Sequence, residues 1–144
     1  MSIRIFYDNT DFRLKSSRKT GKIIDKVIGK ENRISGDLNF IFTDDETIRK
    51  INLQFLNHDC FTDVITFNYN KDDIVNGEIY ISIDAVRINS MNYNVSLSDE
   101  ILRVMIHGVL HLLGYDDKSK GEREKMKRME DLFLEDFEKF CDEL

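Results

Sequence analysis

Ser98-Asp99-Glu100-Ile101-Leu102-Arg103-Val104-Met105-Ile106-His107-Gly108-Val109-Leu110-His111-Leu112-Leu113-Gly114 decides the fold. From Ile101 to Leu113, apolar residues leave almost no polar face at helical spacing, and a helix apolar nearly all round belongs in the interior. Gly114 stands where a C′ glycine ends a helix. The remaining elements must therefore wrap this one.

Upstream the signals are those of strands. Ile3–Tyr7, Leu38–Phe42, Val64–Tyr69 and Glu78–Ile83 are rich in β-branched and aromatic residues. The polar stretch Asn70–Gly77 separates the last two, which read as a hairpin with a longer loop. Between them lie helical patterns. Ile23, Ile24, Val27 and Ile28 mark a helix over residues 14–30, and Ile48, Ile51, Phe55 and Leu56 mark another that ends near Leu56. Thr43 and Glu46 stand three apart as in a capping box at its start. Ala85, Val86, Ile88 and Met91 predict a short helix. Ser119 and Glu122 form a second capping box, opening a final helix faced by Met126, Met129, Phe133, Phe137 and Phe140. The order predicts an α+β fold, a small mixed sheet of about four strands with helices packed against it.

The 144 residues predict one domain over 1–144, with no repeat or linker to divide it. A 41% hydrophobic content is too high for disorder, and no uncharged apolar run reaches membrane-spanning length. The first residues read as a strand, without the apolar stretch of a signal peptide. Cys60 and Cys141 are too few for a disulfide framework or a cysteine zinc site, so a reducing, cytoplasmic location is expected. Net charge is −6, yet Arg13, Lys15, Arg18, Lys19, Lys22, Lys26, Lys30 and Arg33 are met locally by only Asp25 and Glu31. That segment is either a solvated helix face or a nucleic-acid-contacting one.

His107 and His111 lie four apart on one face of the buried helix, and Asp117 follows past the turn at Gly114-Tyr115. Two imidazoles and a ligand from the returning chain can converge on one metal and leave a position open for water. The set is known for catalytic zinc, and imidazole also suits copper, iron and nickel. Two unpartnered histidines in an apolar helix would each cost roughly 1–3 kcal/mol, which a shared metal removes. The spacing also matches metzincin proteases, but those need a Glu directly after the first His as general base. Gly108 stands there.

The run His107-Gly108-Val109-Leu110-His111-Leu112-Leu113-Gly114-Tyr115-Asp116 resembles the His-Gly-x-Leu-His-Leu-x-Gly-Tyr-Asp-His signature of the YbeY family. These are bacterial metal-dependent endoribonucleases and ribosomal RNA maturation factors. Asn52, Asp59 and Thr62-Asp63-Val64-Ile65-Thr66-Phe67 resemble a second family segment, and Gly77-Glu78-Ile79 a third. The resemblance implies one zinc per chain held by three ligands, with His107 and His111 the first two and His107 counted as catalytic. It implies cleavage of single-stranded RNA in ribosomal RNA maturation and ribosome quality control. Expected partners are the small ribosomal subunit, with ribosomal proteins and assembly GTPases. The family's third His falls on Asp117, with Asp116 the alternative, and the carboxylate should make metal-bound water less acidic. The family's Arg falls on Leu56, so phosphate needs another cation, with His58, Lys50 or the basic segment available. Phe61 replaces a family Pro. Thr62 and Asp63 either shape the cleft or make a strand-entry turn, His58 reads as an exposed loop residue, and Cys60 as a small buried side chain. The alternatives are a ribosome-assembly binding factor with a structural metal and, behind it, a metzincin-like metalloprotease.

Overall fold

A computed structural model describes residues 2–58 and 62–137. Asp59, Cys60, Phe61, Phe140 and Cys141 lie outside the described residues. In chain order the elements are β1 (Ser2–Tyr7), α1 (Ser17–Lys30), β2 (Ile34–Thr43), α2 (Asp45–Leu56) and β3 (Val64–Asn68). They are followed by β4 (Ile74–Ser82), α3 (Ile83–Asn92), α4 (Leu97–Leu112) and α5 (Lys120–Phe137). The sheet order is β1-β2-β4-β3, with β1–β2 and β2–β4 parallel and β3–β4 antiparallel. This is the expected α+β fold with a four-stranded mixed sheet, and β3–β4 is the expected hairpin.

The core sits between the sheet and α4. Leu102, Met105, Ile106, Val109 and Leu110 of α4 are fully buried with Leu38, Phe40 and Phe42 of β2 and Ile79 and Ile81 of β4. Each such side chain contributes roughly 1.5–3 kcal/mol relative to exposure. Helix α4 touches α1, α3, α5, β3 and β4, which is why its sequence carries so little polar surface. Ser96 caps it, its Oγ accepting from Asp99 N at 3.1 Å. Gly114 closes it at φ +103°, a backbone conformation open to glycine, and the reversal brings the following chain back past the helix end.

Four expectations about elements are corrected. Strand β2 begins at Ile34 rather than Leu38, because Gly36 lets β2 and β4 pass closely. A Cβ there would lie 2.6 Å from Ile74 Cγ2, and a register shift falls between Ser35 and Leu38. Strand β4 begins at Ile74 rather than Glu78. The polar stretch is a tight turn in which Asn70 Oδ1 accepts from Asn76 N at 2.8 Å and Asp72 takes φ +55°. Thr43 does not cap α2. It ends β2, fully buried and paired with Ser82, while Asp44 caps, its Oδ1 accepting from Thr47 N at 2.9 Å. Glu46 instead pairs with Arg49 at 3.1 Å. The apolar face of α2 also fails to continue: Phe55 is 61% exposed, packed edge-on against Phe67, and Leu56 is 44% exposed. The second capping box is present, Ser119 and Glu122 exchanging bonds of 3.1 and 2.9 Å. On α5, Met126, Phe133 and Phe137 are buried as expected.

Gly108 is where α4 meets the sheet. A Cβ at that position would lie 2.8 Å from Ile79 Cγ2 and 3.5 Å from Thr66 Cγ2. Ile79 is a β-branched core residue with little room to give. Gly108→Ala should therefore destabilise the protein. Overpacking costs about 1–3 kcal/mol, offset by about 1 kcal/mol of gained helix propensity. A urea-unfolding midpoint at or above that of the unaltered protein would contradict this packing.

Candidate metal centre

The two histidine rings of α4 stand one turn apart, with centroids 4.7 Å apart and planes at 77°. His111 Nε2 lies 3.1 Å from His107 Nε2 and 3.3 Å from Asp117 Oδ2, and His107 Nε2 lies 3.4 Å from Asp117 Oδ2. These atoms form a nearly equilateral triangle. A cation near its centre would stand about 2 Å from each, the bond length imidazole and carboxylate ligands take to a first-row metal. A proton on His111 Nε2 can be shared with His107 Nε2 or Asp117 Oδ2, and with that proton gone the three atoms turn lone pairs toward one point, which suits a cation. The group can hold a metal ion.

Asp117 is delivered by the Gly114 reversal. Asp116 Oδ1 accepts from Asp117 N at 2.9 Å, so the neighbouring carboxylate is engaged by the turn's own backbone. The geometry groups His107, His111 and Asp117, and Asp116 stands outside the triangle.

Sequence reading missed the group behind His107. Glu130 of α5, 7% exposed, places Oε2 2.7 Å from His107 Nδ1. A carboxylate accepts only, so Nδ1 carries the proton and Nε2 presents its lone pair toward His111 and Asp117. Carboxylates commonly orient metal-bound imidazoles in this way. Burial is the largest influence on His107 and lowers its pKa. The Glu130 hydrogen bond and charge, with Asp63 and Asp117, more than reverse it and leave the pKa raised. The available signal was Glu130 itself, a carboxylate on the α5 stripe between Met126 and Phe133.

Behind Glu130 stands Arg103, whose Nη1 donates to Glu130 Oε1 at 3.2 Å and Nη2 to Asp131 Oδ1 at 2.9 Å. One turn earlier on α4 is Glu100, 2% exposed, with Oε1 3.8 Å from Arg103 Nε. Glu100, Arg103, His107 and His111 thus form a polar seam along an otherwise apolar helix. Two clefts open on this seam. One, of about 380 Å³, is lined by the triad with Leu56, His58, Thr62 and Asp63. The other, of about 570 Å³, holds Arg103 and Lys127 and shares His107 and Asp63 with the first. Thr62 and Asp63 therefore do line the cleft, and His58 is an exposed residue at its edge. Among the described residues no Arg or Lys lines the cleft at Leu56. The cations beside the triad come from α4 and α5, while Lys50 and the α1 lysines line neither cleft.

Two substitutions test this arrangement. Glu130→Ala should lower metal affinity about 10–100-fold, because His107 loses the partner that fixes its tautomer. Competition with a metal indicator measures this, and unchanged affinity would contradict the role. Glu100 tests the seam by pH. Burial foremost, opposed by Arg103 and reinforced by the charges of Asp63 and Glu130, pushes its pKa from 4.5 up to about 7. The folded state therefore holds this proton more tightly than the unfolded chain. Stability should fall as pH rises from about 4.5 to about 7 and level off above, by roughly 3 kcal/mol. Urea melts of the wild type and of Glu100→Gln, compared at pH 5 and pH 8, should show the variant gaining relative stability at the higher pH. A constant difference would contradict it.

Similarity to known proteins follows the same residues. The sequence profile described as Endoribonuclease YbeY matches residues 6–138. An Endoribonuclease YbeY of Flavobacterium psychrophilum is 45% identical over 121 residues, covering 84% of this chain and 86% of the relative. That of Chlorobaculum parvum is 44% identical over 135 residues, covering 94% of each. Among solved structures, the solution structure of a protein from Thermotoga maritima superposes with a TM-score of 0.64. It is 32% identical and covers 96% of this chain and 93% of that one. With a whole-length sequence match and the motif residues gathered at one site, this chain belongs to the YbeY family of endoribonucleases.

Proposed function

We propose that this endoribonuclease is zinc-dependent and cuts single-stranded RNA during ribosomal RNA maturation and ribosome quality control. The observation that carries the reading is the triangle of His107 Nε2, His111 Nε2 and Asp117 Oδ2, with Glu130 fixing the His107 ring from behind. A zinc ion in such a set supplies Lewis acidity at a phosphoryl oxygen and a water of lowered pKa. The chain's own part is to hold the donors in register. Asp117 adds a negative charge that a third imidazole would not. It binds the ion more firmly by charge and moderates the acidity of its water. His107 is rigid because Glu130, itself buried and held by Arg103, leaves its ring one hydrogen-bonded orientation.

The proposed setting is cytoplasmic. No helix among the described residues is long and apolar enough to cross a membrane. The proposed partner is the small ribosomal subunit, through its RNA and with ribosomal proteins and assembly GTPases. The exposed Arg18, Lys22 and Lys26 of α1 offer phosphate contacts despite the net charge of −6. One observation favours a second reading, an assembly factor with a structural metal: among the described residues no Arg or Lys lines the cleft at Leu56. The metalloprotease reading loses ground, because the position after the first histidine is packed against Ile79 and has no room for a catalytic carboxylate.

Elemental mass spectrometry should find about one zinc per chain, with less in Asp117→Ala. Cleavage of an unstructured RNA should stop with a chelator and in His107→Ala. Full cleavage by a folded His107→Ala protein would overturn the enzymatic reading. Metal retention and ribosomal RNA processing in a folded variant that cannot cut would favour the assembly factor.

A further inference from the structure

The larger cleft lies between α3, α4 and α5 and shares His107 and Asp63 with the cleft at the triad. A strand crossing the metal centre must therefore pass its mouth. Its rim and floor differ in character. At the rim Tyr93 is 64% exposed with Val95 beside it, a flat aromatic surface in open water. The floor is polar and rich in acceptors, formed by Asp63, Asn89 and Glu100. Asn89 Nδ2 donates to Asp63 Oδ2 at 3.2 Å and the same side chain hydrogen-bonds the Glu100 carboxyl, so the amide nitrogen is engaged and its oxygen is left.

Glu100 is the unexplained member. It is nearly fully buried, yet its Oε1 has no hydrogen-bond partner. The nearby cation, Arg103, places Nε 3.8 Å away, beyond hydrogen-bond length, and directs its other nitrogens to Glu130 and Asp131. Buried carboxyl oxygens are rarely left alone, and an orphan at the wall of a cleft marks a place where a ligand supplies the donor. An acceptor-rich floor disfavours phosphate. It favours an N–H-bearing edge, and the rim favours a planar ring.

We propose that this cleft is a nucleobase subsite in which an unpaired base of the RNA stacks on Tyr93 and directs an exocyclic amino group toward Glu100 and Asp63. The subsite rests on the nuclease reading for its strand, and it distinguishes cytosine, adenine and guanine from uracil, which has a carbonyl oxygen where cytosine has its amino group. Arg103 and Lys127 at the same cleft serve the flanking phosphates.

The test compares short fluorescein-labelled oligo(C) and oligo(U), unstructured pyrimidine strands that differ in that one group, on metal-loaded protein. Fluorescence anisotropy reads binding, and gel analysis of the same mixtures reads cutting. Oligo(C) should bind about 10-fold more tightly than oligo(U). Glu100→Leu, which keeps the volume without the acceptor, should bring the two within about twofold. Tyr93→Ala, at an exposed position, should weaken both strands about 10-fold, since stacking is largely indifferent to base identity. Metal content and circular dichroism confirm that each variant is folded. Equal binding of both strands by the wild type overturns the subsite, as does a preference for oligo(C) that survives Glu100→Leu or strand binding unchanged in Tyr93→Ala. Cutting without base preference overturns the subsite and leaves the nuclease standing. Preference without cutting supports the subsite and overturns the nuclease, and binding of neither strand overturns both.

Discussion

Helix α4 is enclosed on nearly all sides, and that enclosure governs the rest of the structure. A polar side chain on such a helix has little water to turn to, and a partner from another element stabilises it. Glu100, Arg103, His107 and His111 recur at spacings of three, four and four, which places them in one seam. Their partners come from α3, α5 and the Gly114 reversal. Helix α5 packs as it does because Glu130 must reach both His107 and Arg103 while Met126, Phe133 and Phe137 enter the core. The fold and the site are two consequences of one buried helix.

The seam also sets the electrostatics. Asp63, Glu100, Asp117 and Glu130 crowd the two histidines, with Arg103 and Lys127 the cations of the adjoining cleft. Burial raises the pKa of Glu100 while Arg103 opposes it, and Glu130 charge raises the pKa of both Glu100 and His107. Each acid in the seam therefore has a distinct role set by its neighbours. Glu130 orients a ring, Asp117 completes a donor set, and Glu100 is left with an oxygen to offer.

Much of this was legible in the sequence, and the gaps have physical causes. The central helix, its glycine stop and the His-x₃-His spacing follow from local periodicity, which a buried helix displays strongly. The β3–β4 hairpin and four-strand count follow from β-branched runs. The starts of β2 and β4 were hidden because Ser35, Gly36, Asn76 and Gly77 look like a loop, although the two strands approach so closely there that small residues suit them. The Thr43 cap failed because tertiary pairing with Ser82 extended the strand by one residue. Glu130 was invisible for a different reason. Its role depends on where α5 lies, and a carboxylate on an apolar stripe reads as a flaw in the pattern until the helix across from it is known to carry a histidine.

Gly108 shows how one position separates chemistries that share a spacing. In a helix, the residue after a metal-binding histidine points about a quarter-turn away from it. Here that direction leads into the sheet, at Ile79 and Thr66, rather than into the cleft. A protease with the same His-x₃-His spacing needs that side free so that a glutamate can reach the water. This fold uses the space for close helix–sheet packing instead. Any acid–base group must then come from outside α4 or from the seam, and Asp63 lines the cleft beside the two histidines. The substitution that removes the protease's base is the one that lets the central helix seat against the sheet. Fold stability and reaction class are therefore decided by the same missing side chain.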